Sequence, residues 1–242
     1  MGLRENITDI SGGNSGIITI VGGKFTQRVE QGTDGATSRV RTKGKNEGKE
    51  VWELYFPALA GMLMNVEITE SNFGGCDGTI TLKDFKTGET FSIQTSADNG
   101  KFTDFLKCLP NIDTSKEVVL EMHPKKNGKV DSNGNPITDL KVVQGGRVVQ
   151  NYYQEWDNQA QQYNCINGMP DWAKTPKGWN HDDQDYFLWE KCNEFFQNYE
   201  PPTGDPDFGI DADGVKEIPP DEAPPFPADV SEKEDSDDSI PF

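Results

Sequence analysis

Residues 200–242 show no apolar period. Pro, Asp and Glu dominate them, with 14 acidic against 2 basic side chains. Such a stretch carries too little apolar surface to offset the entropy lost on ordering it, so it is expected to be a disordered acidic tail. Any core must then be built from the residues before it. The formal net charge of −18 over 242 residues is correspondingly uneven. Residues 1–149 carry 18 basic and 19 acidic side chains, and residues 150–199 carry 3 and 8. A nearly neutral body can still hold a basic groove, so the acidity of the whole chain does not exclude a polyanionic ligand.

Within the body the dominant period is two. Residues 17–21 are β-branched, and 25–29 continue the pattern after Gly22 and Gly23, which reads as a bulge. Residues 36–45 alternate strictly and place Arg39, Arg41, Lys43 and Lys45 on one face of a strand. A Gly-rich turn leads to a second strand over 49–56, completing a basic β-hairpin. Residues 62–69, 79–85 and 90–95 read as strands. A short helix follows over 97–109, with Phe102, Phe105, Leu106 and Leu109 at spacings of three and four. Strands over 118–122 and 137–143 flank a long polar loop.

Strand, strand, strand, helix, strand, strand is the order of an OB-fold, a Greek-key barrel that serves oligonucleotides. The fold class expected is therefore mainly β. An OB-fold-like barrel is extended by the N-terminal hairpin into a sheet of roughly seven to nine strands. A C-terminal aromatic-rich helix and the acidic tail follow it. The domain boundaries read as 1–149, 150–199 and 200–242.

Residues 150–199 hold 12 of the 24 aromatics. A loop is expected over 169–178, then a helix over 182–198 with Leu188, Cys192, Phe195 and Tyr199 as its stripe. The segment admits three roles: a helix packed on the body, a self-association surface or a partner site. Its net negative charge speaks against direct contact with phosphates.

The basic hairpin is the leading candidate for nucleic acid. Gripping a single strand takes cations that track phosphates and aromatic faces that stack on bases, each stack contributing roughly 1–3 kcal/mol. Arg39, Arg41, Lys43, Lys45 and Lys49 supply the first, and Trp52, Tyr55 and Phe56 the second. Alternation puts Trp52 and Phe56 on one face and Tyr55 on the other. Lys83, Phe85 and Lys86 surround the turn between the second and third barrel strands, and Lys125, Lys126 and Lys129 lie in the long loop. These groups are expected to ring one groove.

Catalytic chemistry is not supported. His123 and His181 are the only histidines, and His123 reads as a strand-end residue before Pro124. The stretch around Gly44–Lys49 is one residue short of a phosphate-binding loop and lacks its Ser or Thr. The Asp131–Asn135 stretch lacks the closing Glu of a calcium loop. Cys165, His181 and Cys192 match no zinc spacing, so no metal or cofactor is expected. Four scattered cysteines suit a reducing compartment. No apolar leader opens the chain, and residues 56–64, its longest apolar run, are too short to span a bilayer. A cytoplasmic, non-membrane protein is expected.

The chain ends Asp237, Asp238, Ser239, Ile240, Pro241, Phe242. This resembles the Asp-Asp-Asp-Ile-Pro-Phe ending of bacterial single-stranded DNA-binding proteins, with Ser239 in place of the last acid. The likeness covers six residues and the composition of the acidic linker before them. The longer body departs from the short bacterial domain and is similar instead to phage-type single-stranded DNA-binding proteins. The resemblance implies a non-enzymatic, sequence-tolerant binder of single-stranded DNA in replication, recombination and repair, working in the bacterial host cytoplasm. It also implies that Phe242 and Ile240-Pro241 fill an apolar pocket on partner enzymes, while the terminal carboxylate, Asp237 and Asp238 meet basic residues there. The alternatives are an interaction adaptor whose β-barrel never touches nucleic acid, and a carboxylate hydrolase.

Overall fold

Alternation of β-branched and polar residues runs through most of the first 150 positions, and it folds as a sheet. The computed structural model describes residues 17–41, 47–72, 74–125, 128–130, 134, 136–176 and 178–201. By its contacts the chain divides into Met1–Pro206 and Asp207–Phe242, and all described residues belong to the first unit. The chain is mainly β. The main sheet is built from β1 (Ile17–Val21), β2 (Lys24–Val29), β3 (Thr37–Val40), β4 (Glu50–Phe56), β5 (Ala58–Glu70), β6 (Cys76–Lys83), β7 (Thr90–Ser96), β8 (Val118–Pro124), β9 (Thr138–Gln144) and β10 (Arg147–Val148). Helix α1 (Gly100–Cys108) lies between β7 and β8.

The ten strands run β10-β9-β8-β5-β6-β7-β1-β2-β4-β3, more than the seven to nine that the sequence predicts. All neighbours are antiparallel except β1 and β7. The order β5, β6, β7, α1, β8, β9 is the one expected from the sequence. No closed barrel forms among the described residues. The free edge of β7 takes up β1 in parallel, Ile18 opposite Ile93, and so does not meet β9.

Strand β5 holds the two parts of the sheet together. Its first four residues pair with β8, Gly61 opposite Val118, and from Met62 onward it pairs with β6. At the changeover a Cβ on Gly61 would lie 2.7 Å from the Lys83 carbonyl oxygen, so only glycine lets the backbones pass. Pro57 alone separates β4 from β5, and its carbonyl accepts from Met122 N at 3.1 Å. Gly22 and Gly23, with φ of 55° and 74°, form a two-residue hairpin turn between β1 and β2 where a bulge was expected. Two consecutive positive φ values are what a tight hairpin between twisted strands requires.

The inward positions of the sheet, among them Ile18, Phe25, Phe56, Leu82 and Ile93, make one core with Phe102, Phe105 and Leu106 of α1. Asn99 caps α1 through Lys101 N at 3.0 Å. Gly78 faces the Phe102 ring so closely that a Cβ there would meet it at 2.6 Å.

The segment after the sheet contains two small hairpins, β11 (Gln154–Asp157) with β12 (Gln162–Cys165), and β13 (Ala173–Thr175) with β14 (Gly178–Asn180). The second occupies part of the stretch expected to be loop; strands of three residues are too short to leave a period in the sequence. Helix α2 (Asp182–Gln197) follows where the Leu188–Cys192 stripe predicts it, and both residues are buried. Trp189 Nε1 donates to Ala97 O at 3.3 Å and Tyr199 Oη to Leu63 O at 2.5 Å, fastening this segment to the sheet.

Gly78→Ala is expected to lose about 1–3 kcal/mol through overpacking against Phe102. Urea unfolding should show a lower midpoint at unchanged slope; an unchanged midpoint would mean that the ring shifts freely.

Candidate nucleic-acid interface

The hairpin of β3 and β4 forms as the alternation predicts, with Arg39 opposite Val51 and Thr37 opposite Glu53. Beyond β3 the ladder continues through Arg41 N to Lys49 O at 3.0 Å and Gly48 N to Arg41 O at 2.8 Å. The register with β2 sets Thr26 beside Tyr55 and Arg28 beside Glu53. One face of this part of the sheet therefore carries Lys24, Thr26 and Arg28 from β2, Glu53 and Tyr55 from β4, and Arg39 from β3.

Glu53 organises that face. Its side chain is 1% exposed, and Arg39 grips it with two bonds, Nε to Oε2 at 2.6 Å and Nη2 to Oε1 at 2.8 Å. Tyr55 Oη donates to the same Oε2 at 3.1 Å. The bond to Glu53 holds the Arg39 guanidinium above its ordinary pKa, and burial does most to raise that of the Tyr55 phenol. Arg39 is thus committed to neutralising a buried carboxylate. Tyr55 is fixed by its hydroxyl while its ring stays exposed, with Lys24 Nζ 5.2 Å from the ring centroid. A cation over an aromatic face keeps the ring oriented and marks the spot with positive charge.

The other expected contacts are distributed as follows. Arg41 is half-buried and Lys49 exposed, and neither has an ion pair among the described residues. Trp52 is half-buried. Phe56 is 1% exposed and belongs to the core, so it has no face to offer a base. Lys125 is exposed and pairs with Asp139 at 3.0 Å, and Lys129 is exposed. Lys83 and Phe85 are half-buried and Lys86 is exposed. Among the described residues, the cations of the β6–β7 turn and of the β8–β9 loop do not share one groove. Thr90 pairs with Lys83, while β1 runs parallel to β7 from Ser92 onward, so the turn bearing Phe85 and Lys86 sits at the opposite end of these strands from Gly22 and Gly23. Lys43, Lys45, Lys126 and the tip residues Asp237, Asp238, Ile240, Pro241 and Phe242 lie outside the described residues. Lys24 and Arg28 were missed by sequence reasoning. Their spacing, Lys24, Thr26, Arg28, has the right period, but which face it shares with Tyr55 depends on the register.

A groove of about 350 Å³ opens beside Tyr55. The β1–β2 turn and Lys24 form one wall, and Met122, Pro124 and Pro136 at the base of the β8–β9 loop form the other. Gly23 sits in the wall with φ of 74° and no room for a Cβ, which would meet Thr138 Oγ1 at 2.8 Å. A second cleft of about 390 Å³ lies on the other side of Thr138, between α1, Lys125 and Asp139, and the start of α2. Trp172 lines it, held by Nε1 to Gln184 Oε1 at 2.5 Å, while the buried Gln184 is itself anchored to Pro170 O at 2.9 Å. Burial pushes the Asp185 carboxyl in this cleft up to about 6, with His181 opposing the shift.

Among the described residues no group of three or more His, Cys, Asp and Glu is placed to hold a metal ion. Cys165 accepts from Gln184 Nε2 at 3.2 Å, and burial pushes the Cys192 thiol up to about 12. No described helix is long and apolar enough to cross a membrane. No protein-family model, curated protein or solved structure matches the chain.

Two outcomes separate structural charges from available ones. Arg39→Ala strands the Glu53 carboxylate and should cost about 2–4 kcal/mol of stability, less than for a pair buried on both sides because Arg39 is partly in water. Arg41→Ala should leave the thermal midpoint nearly unchanged; equal losses in both would refute the distinction. At Asp185 the native state holds its proton more tightly than the unfolded chain, so this group favours folding below about pH 4 and that contribution fades as pH rises through about 6. Asp185→Asn should therefore stabilise the protein by about 1 kcal/mol at neutral pH, after allowance for solvent screening, and by almost nothing below about pH 4. Urea titrations across that range measure it.

Proposed function

We propose that the chain binds single-stranded DNA with little dependence on base sequence and recruits replication and repair enzymes through its C-terminal tip, without catalysing a reaction itself. The observation that carries the first part is the exposed Tyr55 ring on one sheet face with Lys24, Arg28 and Arg39, beside an apolar groove. Bases stack on an aromatic ring whatever their identity, and cations alongside follow the phosphates. Lys24, Arg28, Arg41 and Lys49 have no ion pair among the described residues and can do so, whereas Arg39 is engaged with Glu53.

Residues 58–144 are read as an opened OB-fold. The reading rests on the order β5, β6, β7, α1, β8, β9 and on the sharing of β5 between β8 and β6. In this reading β1 and β2 occupy the side on which a closed barrel would join its third and fifth strands, and their turn supplies the groove wall. The recruitment role rests on the sequence of the tip, where one apolar aromatic next to acids suits a weak, exchangeable contact. A cytoplasmic place of work in a phage-infected bacterium belongs to the same reading.

Anisotropy titrations with labelled oligo(dT) test the binding. Affinity should fall with salt by about 0.7 log units per log unit of salt for each phosphate contact. Tyr55→Ala should weaken binding about five- to fiftyfold at constant slope, and Arg28→Ala should reduce the slope by about 1. Absence of binding at low salt would leave the adaptor reading.

A further inference from the structure

The cleft lined by Trp172 is not used by the Tyr55 interface, yet the two meet. Thr138 lines both, and the neighbouring pairs divide between them: Pro124 and Pro136 face the Tyr55 groove, Lys125 and Ile137 the Trp172 cleft. The cleft combines three features suited to a flat, hydrogen-bonding ligand. Its indole is 38% exposed and cannot swing, because the buried Gln184 holds its nitrogen. Of its three lysines, Lys107 and Lys125 are paired, with Asp104 at 3.3 Å and Asp139 at 3.0 Å, and Asp98 and Asp185 offset Lys101, so its interior is close to electrically balanced and does not attract a phosphate inward. The half-buried Asp185 carboxylate accepts no hydrogen bond among the described residues and thus presents unused acceptors to whatever enters.

We propose that this cleft is a second base-binding subsite of the single-strand interface, in which an amino-bearing nucleobase stacks on Trp172 and donates its exocyclic amine to Asp185. The inference rests on the single-strand-binding reading and extends it from the sheet face to a segment whose net charge alone argues against contact with DNA. The contact is to a base and not to the backbone, so local acidity is compatible with it. A carboxylate accepts from the amino group at C4 of cytosine, whereas thymine carries a carbonyl there, which cannot donate, and offers a carboxylate only its single N3–H. The subsite therefore adds a modest composition bias to an otherwise tolerant surface.

Titrations of the full chain with labelled oligo(dC) and oligo(dT) of equal length, at neutral pH and matched salt, test this. The expected result is about fivefold tighter binding of oligo(dC). Asp185→Ala should abolish that preference by weakening oligo(dC) more than oligo(dT), a change of ratio that altered folding would not produce. Trp172→Ala should weaken both oligonucleotides about five- to fiftyfold, and Trp172→Phe, which keeps a stacking face, should retain most of the affinity. Equal affinity of the wild-type chain for the two oligonucleotides, a preference that survives Asp185→Ala, or unchanged binding by Trp172→Ala overturns the subsite and leaves the Tyr55 interface standing. Failure of the wild-type chain to bind either oligonucleotide overturns the reading on which it rests.

Discussion

A single long stretch of backbone, residues 50–70, borders both parts of the sheet, and the rest of the structure depends on its bends. Pro57 breaks the ladder after β4 because it has no N–H to donate, and Gly61 then lets β5 cross from β8 to β6 within reach of the Lys83 carbonyl. The bends bring the β1–β2 turn next to the base of the β8–β9 loop, where Thr138 Oγ1 lies 3.4 Å from Gly23 O. The Tyr55 groove exists because of that approach. The strand that shapes the core also shapes the proposed interface.

Charge is divided by burial more than by sequence. Arg28, Arg39 and Arg41 look alike in a composition count, but among them Arg39 is the one that forms an ion pair with the buried carboxylate of Glu53. Removing a partner from a buried ion costs far more than removing a solvated one, because the remaining charge cannot recover its hydration. On this sheet face one arginine is therefore structural and the others are available to a ligand. Glu53 has a second use, since its Oε2 also holds the Tyr55 hydroxyl and so presents the ring at a defined angle.

Much of the body is legible residue by residue. The β-branched alternation in 17–21, 79–83 and 90–95 and the spacing of Phe102, Phe105 and Leu106 reflect burial of one face, a local property of strand and helix geometry. The stripe of Leu188 and Cys192 marks α2 for the same reason. The candidate site is legible only in part. Tyr55 is exposed with its ring beside cations, as the hairpin pattern suggests, but Phe56 next to it is core. Lys24 and Arg28 join the face through a strand pairing that no local pattern contains. Trp172 is one aromatic among twelve in its segment, and nothing in its neighbours distinguishes it from a buried one.

The sequence by itself determined the longer strands, both helices and where charge accumulates, because period, propensity and charge are carried by neighbouring residues. It also determined the apolar tip after a run of acids. Tertiary structure alone decided that β1 pairs in parallel with β7 and leaves the barrel unclosed. It likewise decided that Arg39 is spent on Glu53, and that Tyr55 and Trp172 line clefts meeting at Thr138. Each of these depends on contacts between residues far apart in the chain, whose register is chosen by the packing of the whole core.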